Sequence, residues 1–220
     1  MEAENRNLLI DGVKVFGIEL DEKTVDAFDL YSMELLKWNR KINLTAVREE
    51  KEVVLKHFID SLSVFSHLPE SGSLFDVGSG AGFPGIPLKM VNPRLYVTLI
   101  DSVQKKVDFQ NHIIRALGLK EIEAIHGRIQ DQEVLQRYEG QFDVVISRAF
   151  SDLQTFLSLT YPFLKKGGMA VAMKGRGLKE ELRLISERER VSYQLKKDHT
   201  FLLPFSPYRR SILVFEKRSP

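Results

Sequence analysis

Leu74-Phe75-Asp76-Val77-Gly78-Ser79-Gly80-Ala81-Gly82-Phe83-Pro84-Gly85 is the stretch that decides the fold. The apolar run from Leu74 to Gly78 reads as a strand, a glycine-rich turn follows, and a helix is expected to open near Gly85. A turn without Cβ atoms bends sharply, and its backbone can come close to a bound molecule. Working outward, short apolar runs alternate with helical patterns. Tyr96 to Asp101, Ile122 to Gly127, Phe142 to Ser147 and Gly168 to Met173 read as further strands. Such alternation predicts a parallel sheet with crossover helices. The end of the chain breaks the pattern. Val191 to Leu203 and Ser211 to Glu216 read as two strands joined by Pro204-Phe205-Ser206-Pro207-Tyr208, a hairpin added to the sheet.

Upstream of the turn Ser71-Gly72-Ser73 the pattern is helical. Val25, Phe28, Leu30, Tyr31, Leu35, Leu36 and Trp38 recur at three- and four-residue spacings after a capping Asp21. A second helix is expected from about Glu49 to His67, with Val53, Val54, Phe58, Ile59 and Leu62 on its apolar face. The chain therefore divides at residue 70 into an N-terminal helical extension, 1–70, and an α/β domain, 71–220, expected to form one compact unit.

Composition narrows the chemistry. In 220 residues there is no cysteine, which excludes disulfides, Cys-ligated zinc and a cysteine nucleophile. No run reaches the ~18 apolar residues of a membrane span. Met1 to Asn7 is polar, without the apolar core of an export signal, so a cytoplasmic chain is expected. A formal net charge of +2 means that any nucleic-acid contact must come from local patches.

Asp101 ends the strand after the glycine turn, where a carboxylate can accept hydrogen bonds from ribose hydroxyls. Gly78, Ser79 and Gly80 supply the close backbone approach. Together they describe a pocket for an adenosine-containing ligand. Gly80 to Gly85 also satisfies the dinucleotide fingerprint, and a turn that holds no ligand is the plain alternative. Three features favour S-adenosylmethionine, with S-adenosylhomocysteine as product. Asp76, two residues before the first glycine, suits an ammonium group and not a pyrophosphate. Too little chain follows Asp101 for a second mononucleotide half and a substrate domain. The hairpin matches the seventh, antiparallel strand of S-adenosylmethionine methyltransferases. No metal is expected.

Five segments resemble one family closely: Lys37 to Thr45 (KWNRKINLT), His57-Phe58-Ile59-Asp60-Ser61, Asp76 to Leu88, Gly127-Arg128, and Ser147-Arg148-Ala149-Phe150. The chain is similar to the bacterial small-subunit (16S) ribosomal RNA guanine-N7 methyltransferases, the glucose-inhibited division protein B family. The resemblance implies a Rossmann-like α/β sheet of seven strands, the last antiparallel, acting as a monomer on 16S ribosomal RNA or the small ribosomal subunit. It places Gly78, Phe83, Ile129, Gln130 and Arg148 at cofactor-contacting positions. It places Asn43, Arg128, Arg148 and Arg210 at positions for substrate binding or activity. Gln130 stands where other members often carry an acid.

The residue chemistry agrees with that substrate. Methylation at carbon-5 of a pyrimidine normally needs a cysteine nucleophile. Methylation of an exocyclic amine often uses an Asn/Asp-Pro-Pro-aromatic segment, whose place is held here by Ser147-Arg148-Ala149-Phe150. Guanine N7 presents a lone pair and has no proton to lose, so its methylation is a problem of orientation. Basic residues crowd three places: Lys37 to Lys56, Lys174-Gly175-Arg176, and the span from Arg190 onward, where seven Lys or Arg stand against two acids. Converging at the pocket mouth they would track phosphates, with Lys174 among the RNA contacts and Phe201, Phe205 and Tyr208 stacking on bases.

Each group has a plainer reading. His57 reads as a helix-surface residue without a catalytic part, Trp38 as core, Asn43-Leu44-Thr45 as a helix end, and Arg148 as a structural ion pair. Methyl transfer to a small molecule or protein, and nicotinamide-dependent oxidoreduction, remain the alternative activities.

Overall fold

A computed structural model describes residues 1–148, 150, 152–175 and 178–218, the side chains of 178 and 179 excepted. Ala149 and Arg176, singled out above, lie outside the described residues. Seven strands form one sheet in the order β3-β2-β1-β4-β5-β7-β6. They are β1 (Gly72–Val77), β2 (Leu95–Asp101), β3 (Ile122–His126), β4 (Phe142–Arg148), β5 (Leu164–Lys174), β6 (Tyr193–Leu202) and β7 (Arg209–Lys217). β1 to β5 pair in parallel, and β7 runs antiparallel to both β5 and β6. The expected α/β sheet with its terminal hairpin is the one observed.

The two-residue period of the strands explains why both faces are covered. Leu74, Val97, Leu99, Val144, Ile146, Val171 and Val214 point into one buried cluster. Their neighbours Phe75, Val77, Ile100, Val145, Ala172 and Leu213 point into the other. The first cluster is completed by the N-terminal helices and by α5 (Gly85–Val91) and α6 (Gln104–Ala116). The second is closed by α7 (Gln132–Tyr138), α8 (Leu153–Thr160) and the α9–α10 segment (Leu178–Leu184, Glu187–Ser192). Among the described residues no helix is long and apolar enough to cross a membrane.

N-terminally, α1 (Ala3–Lys14) precedes α2 (Glu22–Ile42), which is capped as expected: Asp21 accepts from the Thr24 amide at 2.8 Å. Asn43 ends α2 in the left-handed region, φ 49°. The second helix departs from a simple α-helix. α3 (Glu50–Val53) widens into a π-helical stretch, Val54–Ile59, before α4 (Asp60–Leu62). The apolar face is as anticipated, with Val53, Val54, Phe58, Ile59 and Leu62 all buried. The π turn carries no period signature of its own, and π-helical stretches concentrate at functional sites. β5 also starts four residues earlier than its apolar run. Its first turn, Leu164 to Gly168, is polar and pairs through an irregularity against Phe142 and Val144.

Candidate active site

The glycine turn leaves β1 at the carboxyl edge of the parallel strands, where ligands bind in open α/β sheets. Gly78, Gly80 and Gly82 adopt φ of 70°, 60° and 98°, a region closed to most side chains. The amides of Gly78 and Ser79 donate to the Ile100 carbonyl at 2.9 and 3.1 Å. The Gly80 amide donates to one Asp101 oxygen at 2.8 Å, and the Val103 amide to the other at 2.9 Å. Asp101 therefore shapes the turn; the Lys106 ammonium lies 3.6 Å from the oxygen that holds Gly80, and the other oxygen, with one hydrogen bond, keeps a lone-pair direction for a ligand hydroxyl. Two residues invisible to motif reading complete the support. Gln110 donates to Ser79 Oγ at 2.9 Å and to the Gly80 carbonyl at 2.6 Å; the Tyr31 hydroxyl donates to the Ala81 carbonyl at 2.6 Å.

The turn is packed at one end and open at the other. A Cβ on Gly82 would run into Ile86 and lie 2.8 Å from Tyr31 Oη. One on Gly85 would press on Leu99 and lie 2.9 Å from Asp76 Oδ2. At Gly78 and Gly80 a Cβ would meet nothing within 4 Å. That bare backbone beside the Asp101 carboxylate fits a nucleoside-bearing cofactor such as S-adenosylmethionine.

Asp76 has another place. Its carboxyl is 0% exposed; Oδ2 accepts from the Gly85 amide at 2.7 Å, and Oδ1 is buried without a hydrogen-bond partner. Burial pushes its pKa from 3.8 up to about 7. The expected direct contact with an ammonium group thus has no open face. Asp76 ties β1 to the start of α5 and acts on the turn from within.

Arg148, at the end of β4, is the centre of a second constellation. Its guanidinium donates to the Lys56 carbonyl at 2.6 Å, to Asp60 Oδ2 at 3.3 Å and to His57 Nδ1 at 3.0 Å. The π-helical stretch supplies the first and last of these acceptors. A guanidinium can only donate, so Nδ1 must accept. The proton of the neutral ring is therefore on Nε2, which donates to Thr45 Oγ1 at 2.9 Å. Burial, and then the Arg148 charge, hold the His57 pKa at about 3, well below its ordinary 6.5. The reading of His57 as a surface residue is corrected: it is 8% exposed and stacks on Phe83 at 4.5 Å with ring planes 10° apart. Tyr31 also stacks on Phe83, at 5.3 Å, and the Arg148 guanidinium lies 5.3 Å from the same ring. Phe83 is only 3% exposed, so its ring serves this stack.

Asp60 joins two of the anticipated residues. Its other oxygen accepts from Arg210 Nε at 2.8 Å, so Arg148 and Arg210 share one carboxylate. Asn43 belongs to the same neighbourhood through the chain. Its segment is held by Asn39, which accepts from the Thr45 amide and donates to the Val47 carbonyl, both at 2.9 Å, and Thr45 holds His57. The Asn43 side chain itself is exposed.

The remaining residues fall elsewhere. Arg128, Ile129 and Gln130 follow β3, on the far side of the glycine turn from Arg148. Ile129 is buried; Arg128 and Gln130 are exposed, and the Arg128 guanidinium has no partner among the described residues. Lys174 is not an open cation. It is 7% exposed, and its ammonium is held by the Phe150 carbonyl and by Glu181, both at 2.9 Å. Glu181 also accepts from the Leu153 amide, so this lysine fixes α9 against α8. Trp38 is half-buried against Phe109 and His112, as read.

Known proteins share this fold. A S-adenosylmethionine-dependent methyltransferase from Aquifex aeolicus superposes with a TM-score of 0.56 at 20% identity, over 74% of this chain and 92% of that one. The M. jannaschii TYW2 structure in complex with AdoMet gives a TM-score of 0.53 at 19% identity, over 68% and 70% of the two chains. At these identities the likeness is one of fold. Sequence relatives go further. The ribosomal RNA small subunit methyltransferase G of Geobacter metallireducens is 42% identical over 220 residues, covering 100% of this chain and 99% of that protein. The protein of the same name from Geotalea uraniireducens is 41% identical over 218 residues, 99% of each. The family model described as rRNA small subunit methyltransferase G matches residues 24–207, from α2 through the glycine turn and Arg148 to the hairpin. The chain belongs to that family of S-adenosylmethionine-dependent methyltransferases.

Proposed function

We propose that this protein transfers the methyl group of S-adenosylmethionine to N7 of a guanine in the 16S RNA of the small ribosomal subunit, in the cytoplasm. The relatives' names supply the ribosomal RNA; the choice of atom rests on the site's acid–base chemistry. One observation carries it: the groups around Arg148 and behind the turn that could take a proton are already committed. The His57 lone pair accepts from Arg148, both Asp60 oxygens accept from arginines, and Asp76 is sealed inside the fold. A target atom that must lose a proton would need one of them free. Guanine N7 needs none.

The cofactor, when bound, supplies an electrophilic methyl on a sulfonium. Gly78 and Gly80 would lie against it, Asp101 would accept from its ribose, and Ile129 and Gln130 would border its base. Arg148, held in one rotamer by three acceptors, presents a planar cationic face at the edge of the cleft. Arg210 adds a second cation with Arg209 exposed next to it in sequence, and Arg40, Lys41 and Arg48, flanking the Asn43 segment in sequence, are exposed as well. Such a surface suits RNA phosphates, and binding should weaken as salt rises. A guanine N7 is hidden in the deep groove of A-form RNA, so the target is an unpaired, splayed base.

The test uses the lability of N7-methylguanosine, at which borohydride followed by aniline cleaves the chain. Small-subunit RNA from cells lacking this protein should lose one such cleavage. Adding the protein with S-adenosylmethionine to small subunits from those cells should restore it. An unchanged cleavage pattern would overturn the N7 assignment.

A further inference from the structure

The turn between β6 and β7 gives an aromatic residue, Phe205, to solvent at its tip. β7 runs antiparallel to β5, and its register sets Ser211 against Lys174 and Ile212 against Met173; Met173 in turn pairs with Arg148. Residues 203–208 therefore project just beyond the level of Arg148, on the edge that carries the glycine turn. Arg210, bonded to Asp60, fastens this turn to the site.

The turn is closed by its own bonds. The Leu203 amide donates to the Tyr208 carbonyl at 2.8 Å, Ser206 returns its amide and hydroxyl to the Leu203 carbonyl at 3.2 and 2.9 Å, and the Tyr208 amide donates to Ser206 Oγ at 3.2 Å. Phe205 makes none of these bonds. It takes the third position of the four-residue turn that the Ser206 amide closes on Leu203, at φ 57°, a left-handed conformation that suits glycine or asparagine better than a bulky residue, and it is 62% exposed. No ring or cation lies against it among the described residues. Its two aromatic neighbours are differently placed. Phe201 packs on Phe16 and His199, and Tyr208 lies beneath the Lys56 ammonium at 4.9 Å and the Arg210 guanidinium at 5.6 Å. A bulky apolar residue held at a turn position that glycine would fill at less cost, with its face given to water, is the pattern of a contact made by a partner.

We propose that Phe205 is a stacking platform for an unpaired nucleobase of the RNA substrate, next to the guanine that enters the cleft. This rests on the RNA reading above. A base is the occupant that the surroundings favour. Among the described residues Arg209 is exposed without an ion pair, so it can hold a phosphate while the aromatic ring beside it takes the base; Lys56 and Arg210, paired with Glu52 and Asp60, cover Tyr208 of the same turn. A flat π-face accepts any base, so Phe205 would contribute affinity and register with little base preference.

Phe205→Gly separates the two explanations of the residue, because glycine relieves the left-handed strain while removing the ring. The variant should melt no lower than the wild type and bind S-adenosylhomocysteine equally well. Its affinity for a short single-stranded RNA, read by fluorescence anisotropy, should fall about tenfold, which is the lower part of the range for one stacked base. KM for small subunits should rise with kcat preserved. Phe205→Trp should restore the affinity and Phe205→Leu should not. Equal RNA affinity and KM in Phe205→Gly would overturn the proposal, as would rescue by leucine, which would mark a contact with apolar protein surface. If the wild type transfers no methyl to ribosomal RNA, the functional reading fails on its own, and the anisotropy series still decides whether Phe205 stacks on bases.

Discussion

Acidification should act on two buried groups of this site in opposite directions, and substitution can separate them. His57 is held down from 6.5 to about 3, and Asp76 is raised from 3.8 to about 7. Below pH 6.5 the unfolded chain gains a proton at His57 that the native ring refuses. That contribution to stability is present above pH 6.5 and drains away as pH falls, until the native ring is protonated near pH 3. Asp76 works the other way. Its contribution is complete below pH 3.8, where both states are protonated, and is lost as pH rises through about 7. At 1.36 kcal/mol for each tenfold change in proton affinity, the displacements amount to about 5 kcal/mol for His57 and about 4 kcal/mol for Asp76. The two windows overlap almost completely, so in the intact protein the slopes should largely cancel. His57→Gln keeps an acceptor for Arg148 and should expose the Asp76 slope: relative to wild type, its stability should rise toward acid by about 1 kcal/mol per pH unit. Asp76→Asn keeps an acceptor for the Gly85 amide and should show the opposite slope. Urea unfolding at half-unit steps from about pH 4 to 7.5, expressed as differences from wild type, removes the groups common to all three proteins. Difference curves that slope the same way, or that are both flat, would refute the reasoning.

Two further outcomes follow from the geometry. Arg148→Ala should fold yet lose about a hundredfold in kcat/KM, in line with a lost set of charged hydrogen bonds, and Arg148→Lys should recover only part because an ammonium lacks the planar fork; full activity in the alanine variant, measured by tritiated methyl transfer, would make Arg148 a purely structural ion pair. The glycines should divide by role: Gly80→Val should strain the turn and cover its open face, lowering S-adenosylmethionine affinity at least about tenfold by calorimetry, whereas Gly82→Ala, meeting Ile86 and Tyr31, should chiefly lower the melting temperature.

The sheet was legible because its evidence is periodic and local. Alternating apolar runs, the glycines after β1 and the hairpin before the end each follow from a few neighbouring residues. The Arg148 site was legible only in part. Arg148, Arg210 and Asn43 could be named from the family resemblance, but not the carboxylate that joins the two arginines, since Asp60 and Arg210 are 150 residues apart. His57 was misplaced because a helical period puts it on a surface, while a π turn and the Phe83 ring enclose it. Gln110 belongs to no motif and lies on α6, yet it is fully buried and holds Ser79 and Gly80. Lys174 shows the converse error. A cation after a strand end reads as a phosphate contact until Glu181 is seen beside it.

The division of labour between the helical segment and the sheet explains why the chemistry needs both. The sheet contributes the glycine turn, Asp101 and Arg148, which alone would leave a flexible guanidinium at an open edge. The helices contribute His57, Asp60 and the Lys56 carbonyl, three acceptors that hold Arg148 from three directions, and Tyr31, which supports both the turn and the Phe83 ring. Thr45 then passes that constraint to the Asn43 segment, and Asp60 passes it to Arg210 and the hairpin. For a reaction that removes no proton, rate must come from alignment of the two reacting atoms, a gain that disappears when supporting groups move by about an ångström. A neutral, buried histidine suits that task. It offers a fixed lone pair to Arg148 at neutral pH, and a proton on it would set two cations against each other at 3.0 Å.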